Sequence, residues 1–359
     1  MLVTRQPVLR RFWYPVLPRP RLAEGPKSFT LLGEPLVLWQ TDAGEPVALA
    51  DRCCHRSARL SEGWCEGEHI VCGYHGWTYD RTGQCVRIPQ QPDRPARGAV
   101  RAFHCRVAYD YVWVCLDEPL ADLPQFEEED EAGFRRIDEF YEVWQAAGLR
   151  VMENSFDNAH FSFVHRGTFG NYENPIPADL AIQEHSHGFL MTASAPVKNP
   201  DVQQKLLNMD SAETVRHMRS HWYMPFGRKL QITYPNRVVH SIVTYATPID
   251  DRHSQICQFV YRNDGEADAP AADTIAFDRQ VTLEDKTILE STDYDVPLNT
   301  RGGEELHMPS DKPGLIMRQQ LARLLADHGE VEARRPGREP VPQSDPVAVT
   351  GDLSASANG

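Results

Sequence analysis

The sequence predicts an α+β protein in two parts: a strand-rich N-terminal third, and a larger C-terminal part in which antiparallel strands combine with helices. Three observations lead there. From Lys27 to Leu116, short β-branched and aromatic segments alternate with turn residues. A second series of strands runs from Leu180 to Tyr261, its last two members joined by the hairpin turn Asp250-Asp251-Arg252. Beyond it, Ala276 to Thr292 and Arg318 to Ala326 read as helices.

A chain of 359 residues is long enough for two domains. Its composition, 41% hydrophobic and 25% charged, is that of a globular protein. The net charge of −14 disfavours a nucleic-acid groove. No apolar run approaches the roughly 20 residues that span a bilayer, and the Arg-rich start lacks the apolar region of a signal peptide. A cytoplasmic protein without membrane association is expected. Of the 8 cysteines, all but Cys257 precede residue 116. In a cytoplasmic chain, such clustering points to metal rather than to disulfides.

In the N-terminal third, strands are predicted at Phe29 to Leu32, Pro35 to Trp39, Val47 to Ala50, His69 to Val71 and Tyr111 to Leu116. Gly33-Glu34, Asp42-Ala43-Gly44 and Arg81-Thr82-Gly83 break them. Two loops carry chemistry: Cys53-Cys54-His55-Arg56 and Cys72-Gly73-Tyr74-His75-Gly76-Trp77. A Cys₂His₂ zinc site is one reading, although zinc knuckles usually pair two cysteines on one loop and two histidines on a helix. Mixed Cys/His loops suit a Rieske [2Fe–2S] cluster, in which one iron takes two thiolates and the other two imidazoles. The C-x-H spacing selects Cys53 over its neighbour Cys54. Cys65, Cys85, Cys105 and Cys115 lack paired spacing and read as small buried hydrophobes, with Cys85 expected behind the cluster loop. His69 and His104 read as structural.

After Leu116 the composition shifts, and the acidic run Glu127 to Glu131 reads as a solvated linker. The stretch Glu153 to His165 then interleaves carboxylates, carboxamides and imidazoles with Phe156, Phe161, Phe163 and Val164. Burying such groups unpaired costs about 1–3 kcal/mol each, and a metal ion is one candidate to compensate them. Strands follow at Leu180 to Gln183, Phe189 to Ala193, Lys229 to Tyr234, Arg237 to Thr247 and Gln255 to Tyr261. The mixed segment Val202 to Ser220 is expected to cover a substrate pocket. In the helix Ala276 to Thr292, Asp285 shares a face with Val281, Ile288, Leu289 and Thr292. A carboxylate on that face needs a partner or a metal. Glu284, Lys286 and Glu290 are assigned to solvent.

Non-haem Fe(II) oxygenases use two histidines and one carboxylate, leaving other positions open; His160, His165 and Asp285 can supply that set. Five residues apart, the histidines are separated by about 140° on an ideal helix. A helix end or a π-bulge is therefore required between them. Asn154, Asp157 and His160 are three apart and share a helix face, which places Asp157 to orient His160. The remaining histidines, His185, His187, His217, His221, His240, His253, His307 and His328, read as surface or core residues. From Arg334 the Pro, Ser, Ala and Gly content points to a disordered tail.

Cys53-x-His55-Arg56 followed by Cys72-x-x-His75-Gly76-Trp77 resembles the Rieske domain of ring-hydroxylating and demethylating oxygenases. The N-x-x-D-x-x-H-x₄-H pattern from Asn154, with Leu283-Glu284-Asp285-Lys286, resembles their catalytic domain. The resemblance spans roughly residues 10 to 330, including Phe12-Trp13-Tyr14-Pro15 and Pro309-Ser310-Asp311, and is strongest to the demethylase and monooxygenase branch. That branch includes the vanillate, dicamba and N-methylxanthine demethylases and the saxitoxin-pathway hydroxylases. The chain departs from the family at Cys54 and Gly73, where proline is usual.

The resemblance implies an N-terminal antiparallel β Rieske domain over 1–120 and a helix-grip (START-like) catalytic domain over 121–333, with the tail at 334–359. It implies a cluster on Cys53, His55, Cys72 and His75, and mononuclear Fe(II) on His160, His165 and Asp285. It further implies a head-to-tail homotrimer in which Asp157 bridges His160 and the neighbouring subunit's cluster, with Asn154 as a supporting contact. Electrons are expected from NAD(P)H through a separate flavin and iron–sulfur reductase, because no nucleotide-binding Gly-rich loop follows a strand here. The expected reaction is O₂-dependent hydroxylation of a C–H bond of a small organic substrate, or oxidative N- or O-demethylation. Two alternatives stand beside it: cis-dihydroxylation of an aromatic ring, and a non-catalytic Rieske electron-transfer protein whose second domain only binds a ligand.

Overall fold

The N-terminal strands are short and turn-bounded, and they sort into two antiparallel sheets. A computed structural model describes residues 1–176, 180–206 and 210–338. Strands β1 (Tyr14–Pro18), β2 (Lys27–Leu31), β3 (Glu34–Gln40), β4 (Pro46–Ala50), β5 (Trp64–Glu66), β6 (His69–Val71), β7 (Thr78–Tyr79), β8 (Cys85–Arg87), β9 (Ala102–Ala108) and β10 (Tyr111–Cys115) precede the acidic run. Six of them form a sheet in the order β1-β10-β9-β4-β3-β2; the other four, β5 to β8, pair in sequence order. The second Cys/His loop joins β6 to β7 of the small sheet, and the first leaves β4 of the six-stranded sheet and packs with it in one apolar cluster. The strands of the small sheet have only two or three residues, too few for alternation to register in the sequence.

The second part is a seven-stranded antiparallel sheet built from β11 (Arg135–Trp144), β12 (Leu180–His185), β13 (Gly188–Lys198), β14 (Glu213–Tyr223), β15 (Gly227–Thr233), β16 (Val239–Pro248) and β17 (Ser254–Arg262). Its order is β11-β17-β16-β15-β14-β13-β12, so the first strand returns to pair with the last. Helices α1 (Gly148–Phe156), α2 (Phe161–Val164), α3 (Asp201–Leu206), α4 (Ala271–Leu289) and α5 (Lys312–Asp327) complete it. The segment Val202 to Ser220, expected as a pocket cover, contains the end of α3 and most of β14; its residues 207–209 lie outside the described residues. Among the described residues, no helix is long and apolar enough to cross a membrane.

The two parts share a core. Trp13, Tyr111 and Trp113 are buried with Val243, Tyr245, Phe259 and Tyr261 of the large sheet, Trp113 meeting Tyr245 edge-on at 4.9 Å. Each such aromatic removes about 150–250 Å² from water, the main gain holding the parts together. Backbone carbonyls of β1 are also satisfied across the junction: Thr247 Oγ1 donates to Pro15 O at 2.7 Å, and Tyr141 OH to Val16 O at 2.8 Å. Cys115 and Cys257 lie in this core as inert hydrophobes.

The acidic run is not simply solvated. Glu127–Glu129 forms one 3₁₀ turn that buries Glu128, whose carboxylate pairs with Lys229 at 3.0 Å and accepts from Ser241 Oγ at 2.8 Å. A like-charged sequence run hides an anchor of this kind because the partners lie about a hundred residues away in the chain. Glu153, to which the sequence assigned no role, ties α1 to α5: it pairs with Arg318 at 3.0 Å, and Arg318 also binds Glu305 at 2.7 Å. At the expected start of the tail, Arg334 Nε donates to Asp295 Oδ1 at 2.8 Å and Arg335 pairs with Asp293 at 2.7 Å. The rest of that stretch, from residue 339, lies outside the described residues.

Candidate metal centres

Helix α1 stops at Phe156 because Asp157 adopts an extended conformation (φ −88°, ψ 124°). The chain restarts as α2, a single turn flanked by His160 and His165. This helix end resolves the aiming problem posed by the five-residue spacing. The rings meet with Nε2 facing Nε2 at 3.1 Å. From α4, Asp285 brings Oδ1 to 3.5 Å from His160 Nε2 and 3.3 Å from His165 Nε2. The three ligand atoms lie within 4.8 Å of one another, and His165 is buried. Two imidazole nitrogens and one carboxylate oxygen converging on one point fit a divalent cation between them.

The nitrogens facing away from this point each meet a carboxylate, with a hydrogen bond at His165 and a looser approach at His160. His165 Nδ1 lies 2.9 Å from Glu284 Oε2, and Thr168 Oγ1 donates to the same oxygen at 2.9 Å. His160 Nδ1 is 3.4 Å from Asp157 Oδ2. Asn154 Nδ2 donates to Asp285 Oδ1 at 3.3 Å. Thus Asn154 and Asp157 do stand beside the triad, but not on one continuous helix face as expected, since α1 has ended before Asp157. Glu284, expected in solvent, instead faces His165. Its only sequence signal was adjacency to Asp285, and the packing of α2 across α4 decides the matter.

Electrostatics match this arrangement. Burial works against charge on Asp285, yet the hydrogen bond from His165 and the field of both imidazoles hold its carboxyl below the usual range. Burial likewise opposes protonation of His165, and Asp285 and Glu284 outweigh it. Arg228 is pushed down to about 10 by burial, which the Asp285 carboxylate only partly offsets. The ligand segment also depends on Gly170, whose N–H donates to His165 O at 2.8 Å. A Cβ there would stand 2.1 Å from Phe161 O and 2.8 Å from His165 C.

A cavity with roughly 880 Å³ of atom-free space, including its open mouth, ends at the triad. Phe161, Phe169, Leu230, Ile232, Ile242 and Val281 give it apolar walls, and Arg216, Arg228, His240 and Gln258 give it polar ones. His240, read from sequence as an ordinary structural histidine, is buried with Nε2 3.1 Å from Asp278 Oδ2 and lines the cavity.

In the N-terminal part, Cys53 and Cys72 are buried, 2% and 1% exposed, within one apolar cluster. His55 is exposed and His75 half-buried; their rings are 4.6 Å apart, and His55 stacks on Trp77 at 4.6 Å. Sulfur inside and imidazole outside is the polarity of a two-iron cluster with unlike ligand pairs. Tyr79 OH lies 3.0 Å from Cys53 Sγ and accepts from Cys54 N at 3.2 Å. Cys54 itself is exposed, its Sγ 3.3 Å from the same hydroxyl. Cys85 is buried behind Cys53 and Cys72 in the same apolar cluster.

A sulfur-and-imidazole loop pair joined to a two-histidine, one-carboxylate centre defines an iron-dependent oxygenase with its own electron-transfer domain. Residues 12–105 match the Rieske [2Fe-2S] domain, and residues 144–327 match the vanillate O-demethylase oxygenase C-terminal domain. The chain belongs to the Rieske non-haem iron oxygenases, as an oxygenase (alpha) component of the monooxygenase type. Methylxanthine N1-demethylase of Pseudomonas putida is 29% identical over 351 residues, covering 94% of this chain and 95% of that one. Methylxanthine N3-demethylase of the same species is 31% identical, covering 79% and 81%. The solved structure of Pseudomonas putida CBB5 NdmA with caffeine superposes with a TM-score of 0.79 at 27% identity, covering 91% and 94%. Membership brings a Rieske cluster, a mononuclear iron, a small-molecule substrate and a separate reductase.

Proposed function

We propose that this oxygenase hydroxylates a C–H bond of a small aromatic or heteroaromatic molecule held in the cavity, with an N- or O-methyl group as the preferred target. The observation that carries this reading is the cavity itself, apolar along its walls and ending at His160, His165 and Asp285. These three would hold the mononuclear iron, and Cys53, Cys72, His55 and His75 the cluster. When bound, the metal pair supplies reductive activation of O₂.

Each neighbouring residue has a defined task. Glu284 fixes His165 in the tautomer that turns Nε2 to the metal. Asn154 holds one Asp285 oxygen, limiting the ways the carboxylate can swing. The apolar walls orient the substrate and exclude water from the reacting carbon. Hydroxylation of a methyl group on nitrogen or oxygen gives a product that collapses to formaldehyde and the demethylated compound. Hydroxylation of a methyl on carbon stops at the alcohol. The N-demethylating relatives support the first outcome.

Electron delivery in this reading is between subunits. Three copies would assemble head to tail, so that His75 of one subunit approaches Asp157 of the next, and Asp157 hands the electron path to His160. Exposed Tyr74 beside His75, and exposed Phe163, Leu306 and Met308 around the Asp157 side, are apolar surface that such an interface would cover. NAD(P)H, through a separate flavin and iron–sulfur reductase, is the electron source in this scheme. A cytoplasmic location follows from that reductant.

Turnover in ¹⁸O₂ with a surrogate reductase and a panel of methylated aromatics and heteroaromatics tests the reading. One labelled oxygen is expected in the alcohol formed from a C-methyl substrate, whereas methoxy and N-methyl substrates should release formaldehyde, which carries the inserted oxygen away and leaves the demethylated product unlabelled. Two labelled oxygens in a diol would replace it with cis-dihydroxylation. Neither formaldehyde nor a labelled alcohol from iron-loaded enzyme supplied with O₂ and electrons, across the whole panel, would overturn it.

A further inference from the structure

The cavity contains a cation with no counter-ion. Strand β14 alternates exposed and buried residues, and its inward face reads Thr214, Arg216, Met218, Ser220 and Trp222. Arg216 therefore occupies a position where the pattern calls for an apolar side chain, and it is only 5% exposed. Its guanidinium lies over Phe169 at 4.2 Å and near Tyr234 at 5.9 Å. Among the described residues no carboxylate pairs with it, and its Nε is buried without a partner.

Among the described residues, the other buried arginines all have carboxylate partners. Arg262 is paired with Asp264, Arg318 with Glu153 and Glu305, and Arg334 with Asp295 and Glu304. Arg228, also on the cavity wall, donates to Ser155 O and lies in the field of Asp285. Asp278, the acid on another wall, is engaged by His240. Contacts with aromatic faces recover only part of what a buried guanidinium loses on leaving water. Arg228 Nε is also buried without a partner, but among the described residues Arg216 is the cavity arginine whose guanidinium has neither a carboxylate nor a hydrogen bond, left for something that enters the cavity.

Its distance from the reaction centre is set by a stack. Phe169 touches both Arg216, whose guanidinium lies 4.2 Å from its centroid, and the His165 ring, stacked at 4.7 Å and 28°. Apolar side chains, among them Leu230, Ile232 and Ile242, line the rest of the cavity. The ligand that satisfies this wall has an anion at one end and an apolar body that carries its oxidisable carbon to the triad. Planar, forked donors favour a planar carboxylate.

We propose that Arg216 is the specificity residue that binds the carboxylate of an aromatic acid substrate, so that the preferred substrates are methylated or methoxylated arene carboxylates. This rests on the cavity being the substrate site of an oxygenase.

The test uses the iron-loaded protein without O₂, and matched pairs: 3-methoxybenzoate and 4-methoxybenzoate against the corresponding methoxybenzamides, which keep the shape and lose the charge. At least one carboxylate should bind at least tenfold more tightly than its amide. In Arg216→Gln that preference should fall below twofold, and in Arg216→Lys it should persist in weakened form. A fold-independent check is ligand-free melting: Arg216→Met, which removes an uncompensated buried charge, should melt at or above the parent temperature. Equal affinity for acid and amide across the panel, a preference that survives Arg216→Gln, or a marked fall in melting temperature of Arg216→Met would overturn the assignment. Failure of the oxygenase reading looks different: the charge preference and its loss in Arg216→Gln remain, but bound methoxybenzoate gives no formaldehyde or alcohol when O₂ and electrons are supplied.

Discussion

Glu284 Oε2 lies 2.9 Å from His165 Nδ1, so one of the two imidazoles at the candidate iron site is held from behind by a charged carboxylate. Partners of this kind are typically worth 10- to 100-fold in metal affinity. Glu284→Ala should therefore weaken iron retention by about that factor, measured by chelator competition, while the cluster's visible absorbance stays unchanged. Glu284→Gln, which can still accept from Nδ1–H, should fall between the two.

His160→Ala and Asp285→Asn remove ligand atoms themselves. Both variants should lose the mononuclear iron and all product formation. Acid-labile sulfide and the cluster spectrum should match the parent, because Cys53 and Cys72 belong to a separate apolar cluster of the N-terminal part.

Asp157→Asn tests the proposed route between subunits. The side chain is 28% exposed and stands 3.4 Å from His160 Nδ1. Both metal centres should persist in the variant, while a pre-reduced cluster should fail to support a single turnover at the parent rate. Full coupled turnover would exclude the bridge.

Tyr79 OH stands 3.0 Å from Cys53 Sγ. A donor to a cluster thiolate favours the more negatively charged reduced state, so Tyr79→Phe should lower the reduction potential. A hydrogen bond worth about 1 kcal/mol corresponds to roughly 40 mV for one electron. Protein-film voltammetry or a redox titration followed by EPR reads the change.

Acid stability should depend on Glu305. Burial raises its pKa, but Arg150 and Arg318 outweigh burial and hold the group at about 2, against an ordinary 4.5. Its contribution is therefore complete above about pH 4.5 and is lost as pH falls toward 2. At neutral pH, Glu305→Gln should cost about 2 kcal/mol, allowing for partial solvent screening. Parent and variant melting curves should converge between pH 4.5 and 2.

Residue type and spacing carried the chemistry better than the architecture. Cys53, His55, Cys72 and His75 could be read because a metal loop is local, with all of its donors within a few residues of each other. His160, His165 and Asp285 could be read because two histidines five apart, and an acid on an apolar helix face, each violate a local rule. Glu284, His240 and Arg216 could not. Each gains its meaning from a partner, or the lack of one, on a different element, and their own neighbourhoods in the chain look ordinary. The same holds for Glu128, which belongs to a run of exposed acids until Lys229 and Ser241 arrive across the fold. Of the short strands β5 to β8 only β6 was expected, from the β-branched run His69 to Val71; the others escaped detection because two or three residues cannot display a period of two.

Gly170 bears on how this enzyme can change its substrate. The backbone beneath His165 leaves no room for a single carbon at that position, so the ligand-bearing segment is locked in shape, and substitutions there would cost the metal rather than tune selectivity. The opposite wall is different in kind. Leu230, Ile232 and Ile242 project from strands whose hydrogen-bonded backbones are indifferent to side-chain size, so each can be exchanged one at a time. Adaptation to new substrates, by evolution or by directed mutagenesis, should therefore be concentrated on the sheet and nearly absent from the segment between His160 and Gly170.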